Sequence, residues 1–539
     1  MCGIYAIFGT FDEHECIECA NQVKHRGPDN THVERMKNGL VVFHRLSIMD
    51  PTSAGDQPFV GQKWTLVCNG EIYNALELKS KYNLTTKSHS DCEVIWKLLE
   101  DGHMNFGDMV RSLYGVYAIV AIRHYIDGSF DVHMARDRVG IRPLYWCITK
   151  DNRTLAVASE PRSLSNYGQL VKPFSPDTAG FVRFDANGVL TPILHREKLP
   201  SLCVDVPITT ITSREDAVKY VRSVLEQVVK RRMMADRPIA CMLSGGVDSS
   251  TIAALVAKFS DHPIHTFSIG LEGSTDLKHA RIMANHIRSI HHEVILTEKD
   301  FLEAVPDVIR TIQSYDVTTV RASTPMYLLS KYISQNTDFK VIFSGEGPDE
   351  VCGSYMYFHA SPSAQDSAKE CVRLVNDMHY FDVLRADRST AAWGLELRVP
   401  LLGVDFIQTY WSIDPELRVP YQGMEKWILR KAVEDLLPHE ICWRPKEAFS
   451  DGVSSQKRSW FKILQEKIES EVSDEILASA QQTITHHTPK TKEALWMRRL
   501  YEQFYPNMDH LIPYQWLPRW VGDISDPSAR VLSVYNKNT

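Results

Sequence analysis

Two places in this chain combine residue types and spacing that could do chemistry, and they differ in kind. The chain begins Met1-Cys2-Gly3-Ile4, so removal of Met1 leaves a thiol and a free α-amine on one residue. An α-amine has a pKa of ~7.7–8, so much of it can act as a base for that thiol near neutral pH. The second place is Ser244-Gly245-Gly246-Val247-Asp248-Ser249-Ser250. Two glycines there let backbone N–H groups approach a phosphate, and a helix starting at the loop adds the positive end of its dipole. This is not the Walker pattern, which needs four residues between its glycines and a Lys before Ser or Thr. Taken alone, a cysteine after Met1 is commonplace and a Gly-Gly pair is only a turn. The four polar side chains crowding the glycines make the second place a site. One end could liberate a group by nucleophilic attack, and the other could spend a nucleotide.

The elements that must position these residues follow two rhythms. Up to about residue 190 the chain reads as short strands: GIYAIFG, LVVFHRL, WTLVCNG, GVYAIVAIR and FDVHMAR. Helical patches interrupt them, notably around Asp91–Leu99, which predicts a layered α+β domain over 2–190. Pro, Thr and Ser dominate 191–212 and predict a linker. From Ser213 onward helices and strands alternate: helix Arg214–Met234, strand PIACML, the SGGVDSS loop, helix SSTIAALVAKF, strand IHTFSIG, helix LKHARIMANHI, strand HHEVIL, helices to Gln335, and strand KVIFS. That order predicts a doubly wound parallel sheet, with the loops after PIACML, TFSIG and KVIFS opening on one crevice. The rest of a second domain, 213–527, reads as helical and ends in a tail over 528–539.

Composition narrows the field. At 539 residues the chain exceeds one ordinary core. A hydrophobic share of 44% with 24% charged residues describes a globular protein. A net charge of −7 gives no electrostatic case for nucleic acid or an anionic membrane, and no stretch reaches the apolar length of a membrane span. Eleven cysteines, odd in number and scattered, predict reduced thiols and a cytoplasmic location. Cys16 and Cys19 form a lone CxxC without a second pair and read as helix-borne thiols.

MCGI, HRGPD (His25–Asp29), HRLSIMD (His44–Asp50) and NGEIYN (Asn69–Asn74) resemble the class II, N-terminal-nucleophile glutamine amidotransferases. With the later motifs, the chain from Met1 to about Arg530 resembles the glutamine-hydrolysing asparagine synthetases. The resemblance implies an N-terminal-nucleophile domain of β-sheets sandwiched by helices, then an ATP-pyrophosphatase domain with a helical C-terminal part. It implies asparagine synthesis from aspartate, ATP and glutamine-derived ammonia through β-aspartyl-AMP, with ammonia carried internally. Attack by Cys2 on a carboxamide builds an oxyanion that needs fixed donors, which Asn69 and Gly70 can supply. By resemblance Arg45 takes the glutamine carboxylate, a task that suits its bidentate fork; Leu46, Ser47, Ile48 and Met49 accompany it, and Glu71 and Asp91 take the ammonium. Around ATP the resemblance sets Leu243, Ser244, Gly245, Gly246, Asp248 and Ser249, with Leu243 and Ile269 flanking the adenine. Ser344, Gly345 and Glu346 form a second nucleotide loop in which Glu346 governs adenylate formation. Lys446 faces the leaving pyrophosphate, and Asp248 and Asp349 are read as ligands of Mg²⁺. Thr318, Thr319 and Arg321 in DVTTVRAS are expected to bind aspartate. The implied partners are small molecules, with a homodimer as the candidate assembly.

Two other readings stay open at this point: an amide-forming relative with another acceptor, and a non-catalytic amino-acid or nucleotide sensor. Cys2 weighs against both, since such relatives generally lack the nucleophile and a sensor does not need one. Two residues depart from the family pattern: Pro348 replaces the Ser of SGEGSDE, and Gly403 replaces the Asp of RVPFLD.

Overall fold

The computed structural model describes residues 1–198 and 211–532. Two six-stranded sheets face each other in the N-terminal half. The first runs Lys172–Pro173, Tyr145–Ile148, Thr154–Ala158, Gly3–Gly9, Gly39–Arg45, Asn30–Met36. The second runs Leu190–Lys198, Thr178–Phe184, Phe130–Arg136, Gly115–His124, Trp64–Ile72, Phe59–Val60. Their strands pair antiparallel, and alternation along each strand assigns its faces. On Gly3–Gly9, Ile4, Ala6 and Phe8 enter the core between the sheets with Val67, Val120 and Met134. Tyr5 and Ile7 point outward, toward Cys16 and Ala20 of helix Glu13–Asn21. Helix Asp91–Glu100 covers the far face of the second sheet through Ile95 and Leu98. Cys16 and Cys19 lie on helix Glu13–Asn21, as expected.

The linker expected over 191–212 begins later than composition suggested. Residues 191–198 belong to strand Leu190–Lys198, which pairs with Thr178–Phe184, so backbone pairing overrides the Pro-Thr-Ser composition there. Residues 199–210 lie outside the described residues.

The C-terminal half holds a five-stranded parallel sheet in the order Ile290–Leu296, His265–Leu271, Ile239–Met242, Val341–Phe343, Glu396–Arg398. The first four match the alternation read from sequence. The fifth does not, since its stretch was read as helical; its Glu396 and Arg398 are buried and joined by an ion pair of 2.9 Å, so no apolar run marks it. The segment expected as a tail is held in place at its start: Ser528 donates to Asp451 (2.9 Å), and Arg530 pairs with Glu447.

The two halves meet across buried charges. Arg26, fully buried, pairs with Glu160 (2.7 Å) and with Asp387 of the second half (2.8 Å). Arg142 lies 3.7 Å from Asp387 and 3.6 Å from Glu396, and Arg398 lies 3.2 Å from Glu71. The Arg232 guanidinium sits over the Tyr73 ring at 4.7 Å.

The sandwich core gives a stability test. Phe8 is fully buried and its ring meets Phe130 and Phe184 at 6.0 and 6.1 Å. Phe8→Ala is expected to cost about 3–5 kcal/mol, read as a lower urea midpoint for the first unfolding transition.

Candidate active sites

Cys2 stands just before the strand Gly3–Gly9, and the end of Trp64–Ile72 brings Asn69, Gly70 and Glu71 beside it. The Cys2 backbone N donates to Asn69 Oδ1 at 2.9 Å. That bond turns the amide so that Asn69 Nδ2 is a buried donor without a partner. An orphaned donor next to a thiol is suited to a developing oxyanion. Gly70 is required by space, because a Cβ there would lie 2.2 Å from the Val116 carbonyl oxygen. The Cys2 thiol donates to the Leu46 carbonyl (3.7 Å), and burial raises its pKa. Met1 is buried, and burial lowers its amine to about 6.

A small cavity of about 30 Å³ is lined by Cys2, Arg45, Leu46, Ile48, Met49, Asn69, Gly70, Glu71 and Asp91, among others. Ser47 is not in that wall; its N–H donates to Asp29 (2.8 Å) and its carbonyl accepts from Arg237 (2.9 Å). Asp91 opens its helix and accepts from the Ile72 N–H at 2.5 Å; burial still pushes its pKa up to about 6. Burial, with Glu396 and Asp91 nearby, pushes Glu71 well above the usual carboxylate range, against the pull of Arg398. Arg45 arrives already engaged. Its Nη1 donates to Thr52 O (2.7 Å) and Asp56 Oδ1 (2.5 Å), and its Nη2 to the Met49 (3.1 Å) and Asp50 carbonyls.

The second site lies beyond the carboxyl ends of the parallel strands. Leu243, Ser244, Gly246, Asp248, Ser249, Ile269, Thr318, Ser344, Gly345, Glu346, Asp349 and Lys446 all line one crevice. Gly245 faces the other way: its φ is +73°, and a Cβ would lie 2.4 Å from the Ala280 N in helix Thr275–Ile287. Gly345 allows close packing of the two loops, since a Cβ there would lie 2.4 Å from the Ser249 N. Asp248 Oδ1 and Thr318 Oγ1 are buried and unpartnered on the crevice wall, as open acceptor and hydroxyl. Glu346 is clamped by Arg385 (2.8 and 3.2 Å), and burial raises its pKa against that charge.

Three sequence expectations change here. Thr319 is turned inward, its hydroxyl donating to the helix-capping Asp316 (2.8 Å). Arg321 does not reach the crevice; its fork is filled by Glu493 (2.8 Å through Nε) and by Asp526 (2.9 and 2.8 Å). Neither acid is near it in sequence, so an isolated motif could not reveal the saturation. Asp349 is not an open metal ligand, because Lys426 (2.8 Å) and Lys446 hold both its oxygens. Burial would raise Asp349, yet the two lysines keep it far below the usual carboxylate range.

Lys426 is the residue that no motif marked. It is fully buried, has φ +44°, and bridges Asp248 (2.6 Å) to Asp349 (2.8 Å). Arg385, Tyr355 and Asp382 also line the crevice unannounced. Pro348 does not line it: it is the first residue of helix Pro348–Val351, where a missing N–H costs nothing, and Gly347 at φ +112° makes the turn. Gly403 precedes helix Val404–Trp411, and a Cβ there would lie 2.9 Å from the Arg232 guanidinium.

Comparison with known proteins follows the same division. The glutamine amidotransferase domain model matches residues 1–186, and the asparagine synthase model matches 220–371 and 360–522. The chain is 41% identical over 569 residues to the glutamine-hydrolyzing asparagine synthetase of Bos taurus and 41% over 564 residues to that of Gallus gallus. It is 40% identical over 570 residues to that of Homo sapiens. Each alignment covers 99% of this chain and 99% of the relative. Matched from end to end at this identity, the chain belongs to the glutamine-hydrolysing asparagine synthetase family.

Proposed function

We infer that the chain makes L-asparagine from L-aspartate and ATP, with nitrogen released from L-glutamine. The observation that carries this reading is the unpartnered Asn69 Nδ2 beside Cys2 on the same chain as an unpartnered Asp248 Oδ1 in a Gly-rich crevice.

In the first site Arg45 and Asp91 hold the carboxylate and ammonium of glutamine. The Cys2 α-amine, freed by loss of Met1, takes the thiol proton as sulfur attacks the carboxamide. Asn69 Nδ2 and the Gly70 N–H stabilise the oxyanion. Collapse expels ammonia, and water then releases glutamate from the thioester. In the second site the β-carboxylate of aspartate attacks the α-phosphorus of ATP, giving β-aspartyl-AMP and pyrophosphate. Ser244, Gly246 and Ser249 cradle phosphate oxygens, and Lys426 and Lys446 offer positive charge to the departing pyrophosphate. Ammonia attacks the acyl carbon, AMP leaves, and Glu346, aimed by Arg385, is placed to accept the proton. Thr318 is the member of the DVTTVRAS set that faces this chemistry.

Mg²⁺ belongs to this reading. Asp248 Oδ1 is a hard, unpartnered oxygen that fits it, while Asp349 fits only if a lysine gives way. When bound, the ion would neutralise charge on the phosphates. Free thiols among the described cysteines support a cytosolic setting, and no helix among the described residues is long and apolar enough to cross a membrane. A homodimer is part of the proposal, to be read by sedimentation.

Reciprocal mutants test the division. Cys2→Ala is expected to abolish glutamine-dependent synthesis and keep ammonia-dependent synthesis, whereas Asp248→Asn should cut both by on the order of 10²–10³. Both are read as AMP release that requires aspartate. Glutamate release by Cys2→Ala would remove the nucleophile assignment.

Acid should weaken glutamine use. Asp91 binds ammonium only as a carboxylate, and its pKa near 6 means it is charged above that pH and neutral below it. The kcat/KM for glutamine, already falling about tenfold per pH unit as the Cys2 amine is protonated, should therefore steepen toward about a hundredfold per unit below 6. A profile that keeps its single-proton slope down to pH 5 would exclude Asp91 as the ammonium ligand.

A further inference from the structure

Arg45 is held by more acceptors than its placement requires. The Thr52, Met49 and Asp50 carbonyls take three of its four terminal donors and fix the plane of the guanidinium. The fourth acceptor is the Asp56 carboxylate at 2.5 Å. Carbonyl oxygens already position the arginine, so the carboxylate adds mainly charge. It is itself anchored, since Asn30 Nδ2 donates to its other oxygen at 2.6 Å. Gly55 completes the wrap: a Cβ there would lie 2.3 Å from Arg45 Nη2. The Arg45 side chain is 7% exposed and that of Asp56 is 24% exposed, so this pair is only partly screened by water.

We propose that Asp56 sets how weakly the enzyme holds glutamine, by neutralising Arg45 before the substrate carboxylate arrives. The proposal rests on the reading that Arg45 takes that carboxylate. An anionic group entering the cavity meets a guanidinium whose charge is already matched, and it must share Nη1 with Asp56 or displace it. The cost falls on binding alone, because Asp56 touches neither Cys2 nor Asn69. Asp56 is thus a residue acting through Arg45 on affinity, and not a catalytic group.

The test is steady-state glutamate release by the full chain without ATP, measured against glutamine concentration. Asp56→Asn keeps the hydrogen-bonding shape and removes the charge, and Asp56→Ala removes both. Each is expected to lower KM for glutamine roughly five- to twentyfold, with kcat within about twofold of wild type. Asp56→Glu restores the charge and should return KM toward the wild-type value. Thermal melting of each variant separates loss of folding from loss of affinity. A raised or unchanged KM in folded Asp56→Asn overturns the inference, since Asp56 would then position Arg45 or do nothing to it. A wild-type protein that releases no glutamate from glutamine overturns the functional reading itself, and this inference with it.

Discussion

The structure depends on a ladder of charges buried where its two halves meet. Arg26, Arg142 and Arg398 meet the acids Glu160, Asp387, Glu396 and Glu71 there, some within one half and some across the two, and all are buried. Removing one ion from such a set leaves its partner charged in a low-dielectric setting, at about 3–5 kcal/mol. Burial would raise Glu160, yet Arg162, His25 and Arg26 hold it well below the usual carboxylate range. The ladder therefore adds less to net stability than its number of ion pairs suggests, and it favours the register of the two halves in which these charges meet.

That register fixes both sites at once. Arg26 Nε donates to the Cys2 carbonyl (3.1 Å), so Cys2, the proposed nucleophile, hangs from the first rung. Glu71, which follows Asn69 and Gly70 on their strand, ends the last. The loop that holds Arg45 is also tied to the second half: the Asp50 N–H donates to Asp236 (2.7 Å), and Asp236 donates to the Ile48 carbonyl (3.1 Å). At the second crevice, the Ser344 N–H donates to the Arg398 carbonyl (2.9 Å), which links the strand carrying the ladder to the loop that bears Glu346.

Much of this was legible in the residues because local chemistry declares itself locally. β-Branched and aromatic runs marked Gly3–Gly9 and Trp64–Ile72, and β-α alternation marked the parallel sheet. Asn69, Asp91 and Asp248 line their cavities because short motifs place them there. Illegible features depend on partners distant in sequence. Strand Glu396–Arg398 hid because its charges are neutralised by partners such as Arg142 and Glu71, and Lys426 because its acids lie 178 and 77 residues away. Arg321 misled for the same reason, its apparent freedom ending at Glu493 and Asp526. Pro348 is a matter of helix geometry, since the N–H of a first helical position has no intrahelical acceptor to lose.

If the ladder sets the register of the two halves, the coupling of the two reactions depends on the interface. The most direct measurement is the ratio of glutamate to asparagine formed by Asp387→Asn, with glutamine, aspartate and ATP all saturating. Asp387 lines neither the Cys2 cavity nor the crevice of Ser244–Ser249; it contacts Arg26 and Arg142. The account predicts that hydrolysis continues while the ratio rises severalfold above wild type, because ammonia is released without reaching its acceptor in register. A folded Asp387→Asn protein with the wild-type ratio would contradict it.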